Sequence, residues 1–182
     1  VMLRTIRTAA GLVQRLDGAA PVSEGPQDLV DLGQILSDVA EITRFRWDRA
    51  AGDPRPPIAL TLDLQPVPPV PGSAYELTQV FTNLVINACE ALTAGGHVRL
   101  STRFDGVHAV ALVTDNGPGL RREMRDHLFE RHFSTKGRGN SGLGLTIVAE
   151  IIGRHGGHVL ADSARGEGTT FLVLLHVAPN GR

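Results

Sequence analysis

The chain has 182 residues, with 42% hydrophobic and 20% charged, which is enough for one domain with a sizeable core plus an appendage. Its net charge of −1 excludes a general electrostatic attraction to nucleic acid or to an anionic membrane surface, and its single cysteine, Cys89, excludes an internal disulfide framework. No apolar run reaches membrane-spanning length, and because the chain starts at Val1 we interpret it as a piece of a longer protein.

The first predicted element is an amphipathic helix over residues 2–20. Five apolar residues share one face of it: Leu3, Ile6, Ala10, Val13 and Leu16. Such a narrow stripe cannot bury itself, so we expect the helix to pack against another helix or against a second copy of the chain. Residues 21–27 are rich in Pro, Gly and Ser and are predicted to be a linker.

A second amphipathic helix is predicted from Asp31 to Ala50. Its inward positions are Leu32, Ile35, Leu36, Val39 and Ile42. Alternating apolar residues then predict a strand over 58–64, and a proline-dense connection over 66–72 leads into the next helix.

The helix predicted over residues 76–92 has apolar positions at intervals of three and four, which indicates a buried stripe. These positions are Leu77, Val80, Phe81, Leu84, Ala88, Ala91 and Leu92. Asn83, Asn87 and Glu90 form a second row on a different face. Taken alone, the two carboxamides favour a polar edge of the helix at solvent over a site, and only the glycine-rich loops further along the chain reverse this interpretation.

The second half of the chain contains most of the predicted strands. A hairpin is predicted over 97–104 and 107–114 with a turn at Asp105-Gly106, followed by a helix over 143–155 that Gly156-Gly157 ends. The last strands are predicted over 159–162 and 169–177. Helices and strands that alternate in blocks predict an α+β fold, a two-layer sandwich with a mixed, mostly antiparallel sheet and helices on one face.

Two glycine-rich loops are candidates for ligand binding. Asp115 follows the hairpin and opens the sequence DNGPG, so its carboxylate can accept a hydrogen bond from an exocyclic amine while the glycines let the backbone approach a ligand. Taken in isolation, DNGPG is better interpreted as an ordinary tight turn, since such loops are common. The second loop, 137–144, leads directly into a helix, where bare amides beside Lys136 and Arg138 favour an anion site over a flexible linker.

Four motifs in sequence, NLVINACEAL, DNGPG, LFERHFSTK and GLGLTIV, resemble the N box, first glycine box, F box and second glycine box of the histidine-kinase, gyrase, chaperone and mismatch-repair ATPase superfamily. RGEGTTFLVLL resembles the closing strand. Over roughly residues 28–178 the chain is similar to the catalytic and ATP-binding domain of a bacterial sensor histidine kinase of the nitrogen-regulation and PAS-linked branch. The resemblance implies the Bergerat ATP-binding fold, with ATP and Mg²⁺ as ligands.

The resemblance also implies roles for single residues. Asn87 would coordinate Mg²⁺ through its carboxamide oxygen, Asp115 would bind the adenine amino group, and Gly117 and Gly119 would shape the purine pocket. Gly142 and Gly144 would bind phosphates beneath a lid over 134–141, where Lys136 and Arg138 would neutralise γ-phosphate charge. The nucleotide site would further include Glu90, Ser141, Leu143 and Thr170.

Two departures from the superfamily pattern refine the predicted chemistry. Asn83 stands where the clamp-type ATPases carry a glutamate that activates water, and an amide is a poor base, so phosphoryl transfer is favoured over hydrolysis. Glu90 stands where many sensor kinases carry a cation. We therefore assign the catalytic positions to Asn83 and Lys136, with Lys136 as the cation at the phosphates.

The resemblance predicts four parts of the chain. They are a remnant of the dimerisation hairpin (its second helix) at 1–20, a linker at 21–27, the catalytic domain at 28–178 and a tail at 179–182. The family's phosphoacceptor is a histidine followed by an acidic residue, and no histidine here is followed by one. We therefore expect the acceptor to lie on dimerisation helices of the full-length protein that this chain lacks.

Other expected partners are the receiver domain of a response regulator and a second copy of the chain bound through residues 2–20. The expected location is cytoplasmic, within a soluble or membrane-anchored sensor.

Two alternative functions stay open. One is an anti-sigma-type serine/threonine kinase of the same fold, against which the N-terminal helix argues. The other is a nucleotide-binding module without kinase activity, against which the intact glycine boxes and Asn87 argue.

Overall fold

The computed structural model of the protein describes residues 28–48, 56–121, 124, 128–129 and 143–178. The predicted helix at 2–20, the linker at 21–27 and the tail at 179–182 lie outside these ranges. Within them, no helix combines the length and the apolar character that a membrane crossing requires.

The described elements follow one another along the chain as β1 (Leu29–Val30), α1 (Leu32–Ile42), α2 (Arg44–Trp47), β2 (Ile58–Leu64), β3 (Val70–Pro71), α3 (Ala74–Ala91), β4 (Gly96–Phe104), β5 (His108–Asp115), α4 (Leu143–Arg154), β6 (His158–Ala164) and β7 (Gly168–His176). Strands β1 and β3 pair with each other, and the other strands form a sheet in the order β2-β4-β5-β7-β6. Only β2 and β4 are parallel within that sheet. The prediction of a mixed, mostly antiparallel sheet is confirmed.

Helix α3 packs its predicted stripe against the inner side of the sheet, beside α1 and α4 on the same face. Leu77, Val80, Phe81 and Leu84 are completely buried there, and the Ser73 hydroxyl accepts a hydrogen bond from the Glu76 N–H at the helix start. Since α3 connects the parallel strands β2 and β4, it lies across the sheet as a crossover helix.

The helix predicted from Asp31 to Ala50 is wrong in its second half. Asp31 does cap the helix by accepting from two backbone amides, but α1 ends at Ile42, and α2 follows after Thr43. The Thr43 hydroxyl donates to the carbonyl of Val39 at 2.7 Å, and this local bond competes with continuation of the helix. Ile42 was predicted to face inward and is 52% exposed.

Successive side chains of each strand point to opposite sides of the sheet, so the sheet has an inner face and an outer face. The inner face, which includes Val113 and Phe171, contributes to the same core as the helices. The outer face carries a separate buried group on β5 and β7, which we call the outer-face cluster: Val110, Leu112, Leu172 and Leu174.

A histidine connects the ends of α3 and α4. The almost fully buried His155 ring accepts a hydrogen bond from the Ser73 N–H at Nε2, at 3.1 Å, and donates from Nδ1 to the carbonyl of Ile151, at 2.9 Å. Gly72 lies directly against this ring, because a Cβ placed there would be 2.4 Å from Cδ2 of His155. The start of α3 is therefore fixed relative to the end of α4.

We expect Gly72→Ala to lower the free energy of unfolding by about 1–3 kcal/mol, since the new methyl group displaces the His155 ring and its two hydrogen bonds. Gly153→Ala is the matched control. Gly153 lies in α4, and a Cβ added to it would meet no atom of the described residues within 4 Å, so alanine should raise the free energy of unfolding by up to about 1 kcal/mol. Urea unfolding of both variants measures the contrast, and equal effects would contradict it.

Candidate functional site

A cavity of about 270 Å³ opens where the inner face of the sheet meets α3 and α4. Its described lining comes from α3, the loop after β5, α4 and β7. These residues are Asn87, Ala91, Asp115, Pro118, Gly119, Leu120, Met124, Leu128, Leu145, Thr169 and Phe171. Most of the wall is apolar, and Asn87, Asp115 and Thr169 are its polar side chains, which is the composition typical of a small-molecule site.

Asp115 is the last residue of β5 and points to the inner face, where it is 4% exposed. One carboxylate oxygen accepts a hydrogen bond from the Gly117 N–H at 2.8 Å. Burial raises the pKa of this carboxyl above its ordinary value, while the backbone N–H groups of Gly117 and Thr169 act in the opposite direction. A carboxylate has about four acceptor sites, so Asp115 retains acceptor capacity for a ligand.

The loop after Asp115 is held close to the neighbouring strands. The Asn116 side chain accepts from the His97 N–H at 2.7 Å, at the start of β4. Gly119 has φ +64°, and a Cβ there would be 1.9 Å from the carbonyl oxygen of Ala164. Glycine at this position therefore allows two backbone segments to touch. Gly119 lines the cavity, whereas Gly117 is not among the described lining residues.

The turn between β6 and β7 supports the same loop through hydrogen bonds. The Pro118 carbonyl accepts from the Gly166 N–H at 2.7 Å. The Ser163 hydroxyl accepts from the Leu120 N–H at 2.9 Å and donates to the Gly168 carbonyl at 2.8 Å. Ser163 was missed by the sequence analysis because both of these partners are backbone groups, which leave no side-chain pattern to detect.

We expect Ser163→Ala to lower the free energy of unfolding by about 1–3 kcal/mol, because two buried backbone groups lose their partner. Ser101→Ala is the control: its hydroxyl is also buried but makes no hydrogen bond in the described structure, so its removal should cost little. Chemical denaturation compares the variants, and hydrogen exchange of the Leu120 amide should accelerate only in the Ser163 variant. An unchanged Leu120 amide would contradict the assigned role.

Asn87 lies across the cavity from the loop, one turn before the end of α3. A Cβ on Gly144 would be 3.9 Å from Nδ2 of Asn87, so the first turn of α4 faces this carboxamide. Asn83 and Glu90, in the same row of α3, are partly buried but are not among the residues that line the cavity. The structure thus brings together Asn87, Asp115, Gly119 and the start of α4.

Thr170 was predicted at this site and lies elsewhere. Its hydroxyl is 3.1 Å from that of Thr114 on the outer face, whereas the neighbouring Thr169 lines the cavity. Successive side chains of a strand point to opposite faces, so an error of one residue reverses the face. Leu143 begins α4, while Lys136, Arg138, Ser141 and Gly142 lie outside the described residues.

Residues 72–179 match the family described as the histidine kinase-, DNA gyrase B- and HSP90-like ATPases. This match covers more than half of the chain, so the protein belongs to that family. The superfamily resemblance identified from the four motifs is confirmed.

Sensor histidine kinases are prominent among the similar proteins. The sensory histidine kinase/phosphatase NtrB of Rhizobium meliloti (strain 1021) is 42% identical over 125 residues, which are 60% of this chain and 32% of the relative. The probable sensor histidine kinase TcrY of Mycobacterium tuberculosis is 33% identical over 169 residues, which are 90% of this chain and 33% of the relative. The chain spans about a third of the length of these curated relatives.

Solved structures of sensor kinases share the fold. The mycobacterial sensor histidine kinase MprB superposes with a TM-score of 0.71 at 28% identity, over 84% of this chain and 99% of that chain. Full-length ShkA in complex with AMPPNP superposes with a TM-score of 0.70 at 29% identity, over 93% of this chain and 35% of that chain. The predicted α+β fold and the resemblance to the catalytic domain of a sensor histidine kinase are confirmed.

Proposed function

We propose that the chain is the ATP-binding catalytic domain of a two-component sensor histidine kinase, which transfers the γ-phosphoryl group of ATP to a histidine on a dimerisation helix. The observation that carries this proposal is the buried Asp115 carboxylate at one side of an apolar cavity, with Asn87 and the start of α4 at the other. Such an arrangement suits a nucleotide with its purine at Asp115 and its phosphates at Asn87 and the start of α4.

The purine end is suited to adenine. Asp115 accepts a hydrogen bond from the exocyclic amine, and its burial makes that bond strong because water is excluded. Leu120, Leu128 and Phe171 provide flat and aliphatic surface for the ring. A guanine, which carries a carbonyl acceptor where adenine carries the amine, would face the carboxylate with repulsion.

The other end of the cavity is suited to the phosphates of ATP and to the Mg²⁺ ion that accompanies them. The N-terminus of α4 presents backbone amides beside Asn87, and this geometry attracts phosphate oxygens. No group of three His, Cys, Asp or Glu side chains that could hold a metal occurs in the described part of the chain. The carboxamide oxygen of Asn87 would hold Mg²⁺ together with phosphate oxygens and water, and the ion would offset charge on the transferred group.

The same residues support transfer over hydrolysis. Asn83 offers an amide where a general base would be needed to activate water, so bound ATP waits for an acceptor. Lys136 and Arg138 would neutralise the γ-phosphate, with Glu90, Ser141, Gly142 and Leu143 nearby. The acceptor histidine would lie on dimerisation helices of the full-length protein, whose catalytic domain is residues 28–178. Its partners, at a cytoplasmic location, would be a second copy bound through residues 2–20 and the receiver domain of a response regulator.

The proposal is tested by incubating the chain with Mg²⁺ and γ-labelled ATP, alone and with the histidine-bearing dimerisation segment of its full-length protein. We expect tight nucleotide binding, little free phosphate, and acid-labile label on the added segment only. Rapid release of free phosphate would instead indicate a clamp-type ATPase and contradict the role of Asn83. Acid-stable label on a serine or threonine of a partner would favour the anti-sigma-type kinase.

A further inference from the structure

Three polar side chains form a row across the inner face of the sheet. Thr169 of β7 is paired with Asp115 of β5 on one side and with Ser163 of β6 on the other, so the three are cross-strand neighbours. All of them are buried, with exposed fractions of 4% for Asp115, 7% for Thr169 and 9% for Ser163. The next pair on the same face, Val113 and Phe171, is apolar. Polar groups in such surroundings are costly unless they are hydrogen-bonded, so the donors and acceptors of the row have to match.

The hydrogen bonds of Ser163 leave only one role for the Thr169 hydroxyl. A serine hydroxyl has one proton and two acceptor positions. Its proton goes to the Gly168 carbonyl at 2.8 Å, because a carbonyl can only accept. One acceptor position takes the Leu120 N–H at 2.9 Å, because an N–H can only donate. The Thr169 hydroxyl oxygen is 3.0 Å from the Ser163 oxygen, where only the second acceptor position remains. Thr169 is therefore the donor in this hydrogen bond.

This assignment fixes what Thr169 presents to the cavity. The Thr169 hydroxyl has one proton, which points to Ser163, so toward the cavity its oxygen offers lone pairs only. The ionised carboxylate of Asp115, in the same wall, also only accepts. Ser163 itself is not among the described lining residues. This end of the cavity thus presents two acceptors, although an unrestrained threonine hydroxyl could equally well donate.

We propose that Ser163 is a positioning residue for the nucleotide base. By holding the Thr169 hydroxyl as an acceptor, it makes this end of the cavity select a purine with an amine over one with a carbonyl at the same ring position. The amine of adenine has a proton for each of the two acceptors, whereas the carbonyl of hypoxanthine would meet lone pairs from both. This inference rests on the proposed ATP-binding function and adds a residue that controls base selectivity through another side chain.

The test compares the binding of ATP and of ITP, whose base is hypoxanthine, by calorimetric titration of the full chain. In Ser163→Ala the Thr169 hydroxyl loses its acceptor and can turn its proton to the carbonyl of ITP. The ratio of ATP affinity to ITP affinity should therefore fall about fivefold to tenfold below that of the wild type. A general loosening of the loop would weaken both nucleotides and leave their ratio unchanged. Ser101→Ala is the matched control, because it removes a buried hydroxyl from the outer face, and it should preserve the ratio.

A double-mutant cycle shows whether Ser163 acts through Thr169. Thr169→Val removes the acceptor and leaves both backbone partners of Ser163 in place, so this variant alone should also lower the ratio. In the Thr169→Val background no hydroxyl remains to be oriented, and Ser163→Ala should then leave the ratio unchanged. An equal fall of the ratio in both backgrounds would overturn the proposal. So would a wild-type ratio in Ser163→Ala or in Thr169→Val.

A measurement without nucleotide distinguishes this inference from the proposed function. The Thr169 hydroxyl proton, held by a buried acceptor, should exchange slowly enough with water to be observed by NMR, with a nuclear Overhauser effect to the β-protons of Ser163. A Thr169 hydroxyl that exchanges as fast as an exposed one would overturn the donor assignment even if ATP binds. A protected hydroxyl in a chain that binds neither nucleotide would support the donor assignment and contradict the proposed ATP-binding function.

Discussion

Asp115→Asn is expected to weaken ATP binding by about 100-fold, while the melting temperature stays the same or rises. The Asp115 carboxylate already accepts from the Gly117 N–H at 2.8 Å and would accept from the adenine amine. An asparagine has one oxygen and one NH₂ group, so in either orientation its NH₂ group faces one of these donors. The variant should also bind ATP and GTP with similar affinity.

The free energy of unfolding should not fall in the Asp115→Asn variant, although ATP binding weakens. The reason is that burial raises the pKa of Asp115 in the folded state. At neutral pH, the buried ionised carboxylate of the wild type therefore lowers the free energy of unfolding. This loss is regained as the pH falls through the raised pKa of Asp115. Asparagine removes that charge. In the wild type, acidification should weaken ATP binding over the same pH range, because protonation replaces an acceptor with a donor.

Calorimetric titration with ATP and GTP and thermal melting of both proteins measure these effects. Asp162→Asn is the matched control, since it makes the same change on the outer face of the sheet, away from the cavity. Its ATP affinity should equal that of the wild type. Equal ATP affinity in the Asp115 variant would remove Asp115 from the binding site.

Asn87→Ala is expected to lower the affinity for Mg-ATP by about 10- to 100-fold, since the proposed ligand of the ion and a polar side chain of the cavity wall are both lost. Binding of ADP without Mg²⁺ should change little, because the purine end is untouched. Asn87→Asp should recover part of the affinity through a carboxylate oxygen.

The control is Asn83→Ala, four residues earlier in the same helix and outside the cavity lining. Binding measurements with and without Mg²⁺ should leave its nucleotide affinity close to that of the wild type, while phosphoryl transfer reports separately on its catalytic assignment. An unchanged Mg-ATP affinity in Asn87→Ala would argue against the magnesium site and favour a nucleotide-binding module without kinase activity.

The parts of the fold that depend on a local period were predictable. The stripe of α3 and the hairpin at Asp105-Gly106 are defined by spacing and by turn chemistry within a few residues. The end of α1 at Ile42 was not predicted, because apolar spacing contains no information on the hydrogen bond that Thr43 makes to Val39.

The site, like the fold, was predictable only in part. Asn87 and Asp115 were assigned from motifs, and their meeting in one cavity depends on long-range packing that a single sequence does not display. Thr170 was misplaced by one residue, because the face of a strand residue follows from a register that only the folded sheet defines. The burial of the outer face had a signal that was overlooked: β5 and β7 are continuously apolar over much of their length, which is typical of strands covered on both sides.

The strand order has a consequence for the time course of folding. Strand β7 is the last of the described strands along the chain, yet it lies between β5 and β6 and pairs with both. Until β7 is in place, β5 therefore has a partner only on its β4 side and β6 has no partner among the described strands of the sheet, and the pairing of β5 with β7 closes a loop of more than fifty residues. Such distant contacts slow the search for the native state, so we expect the pairing of β7 to limit the rate at which this domain folds.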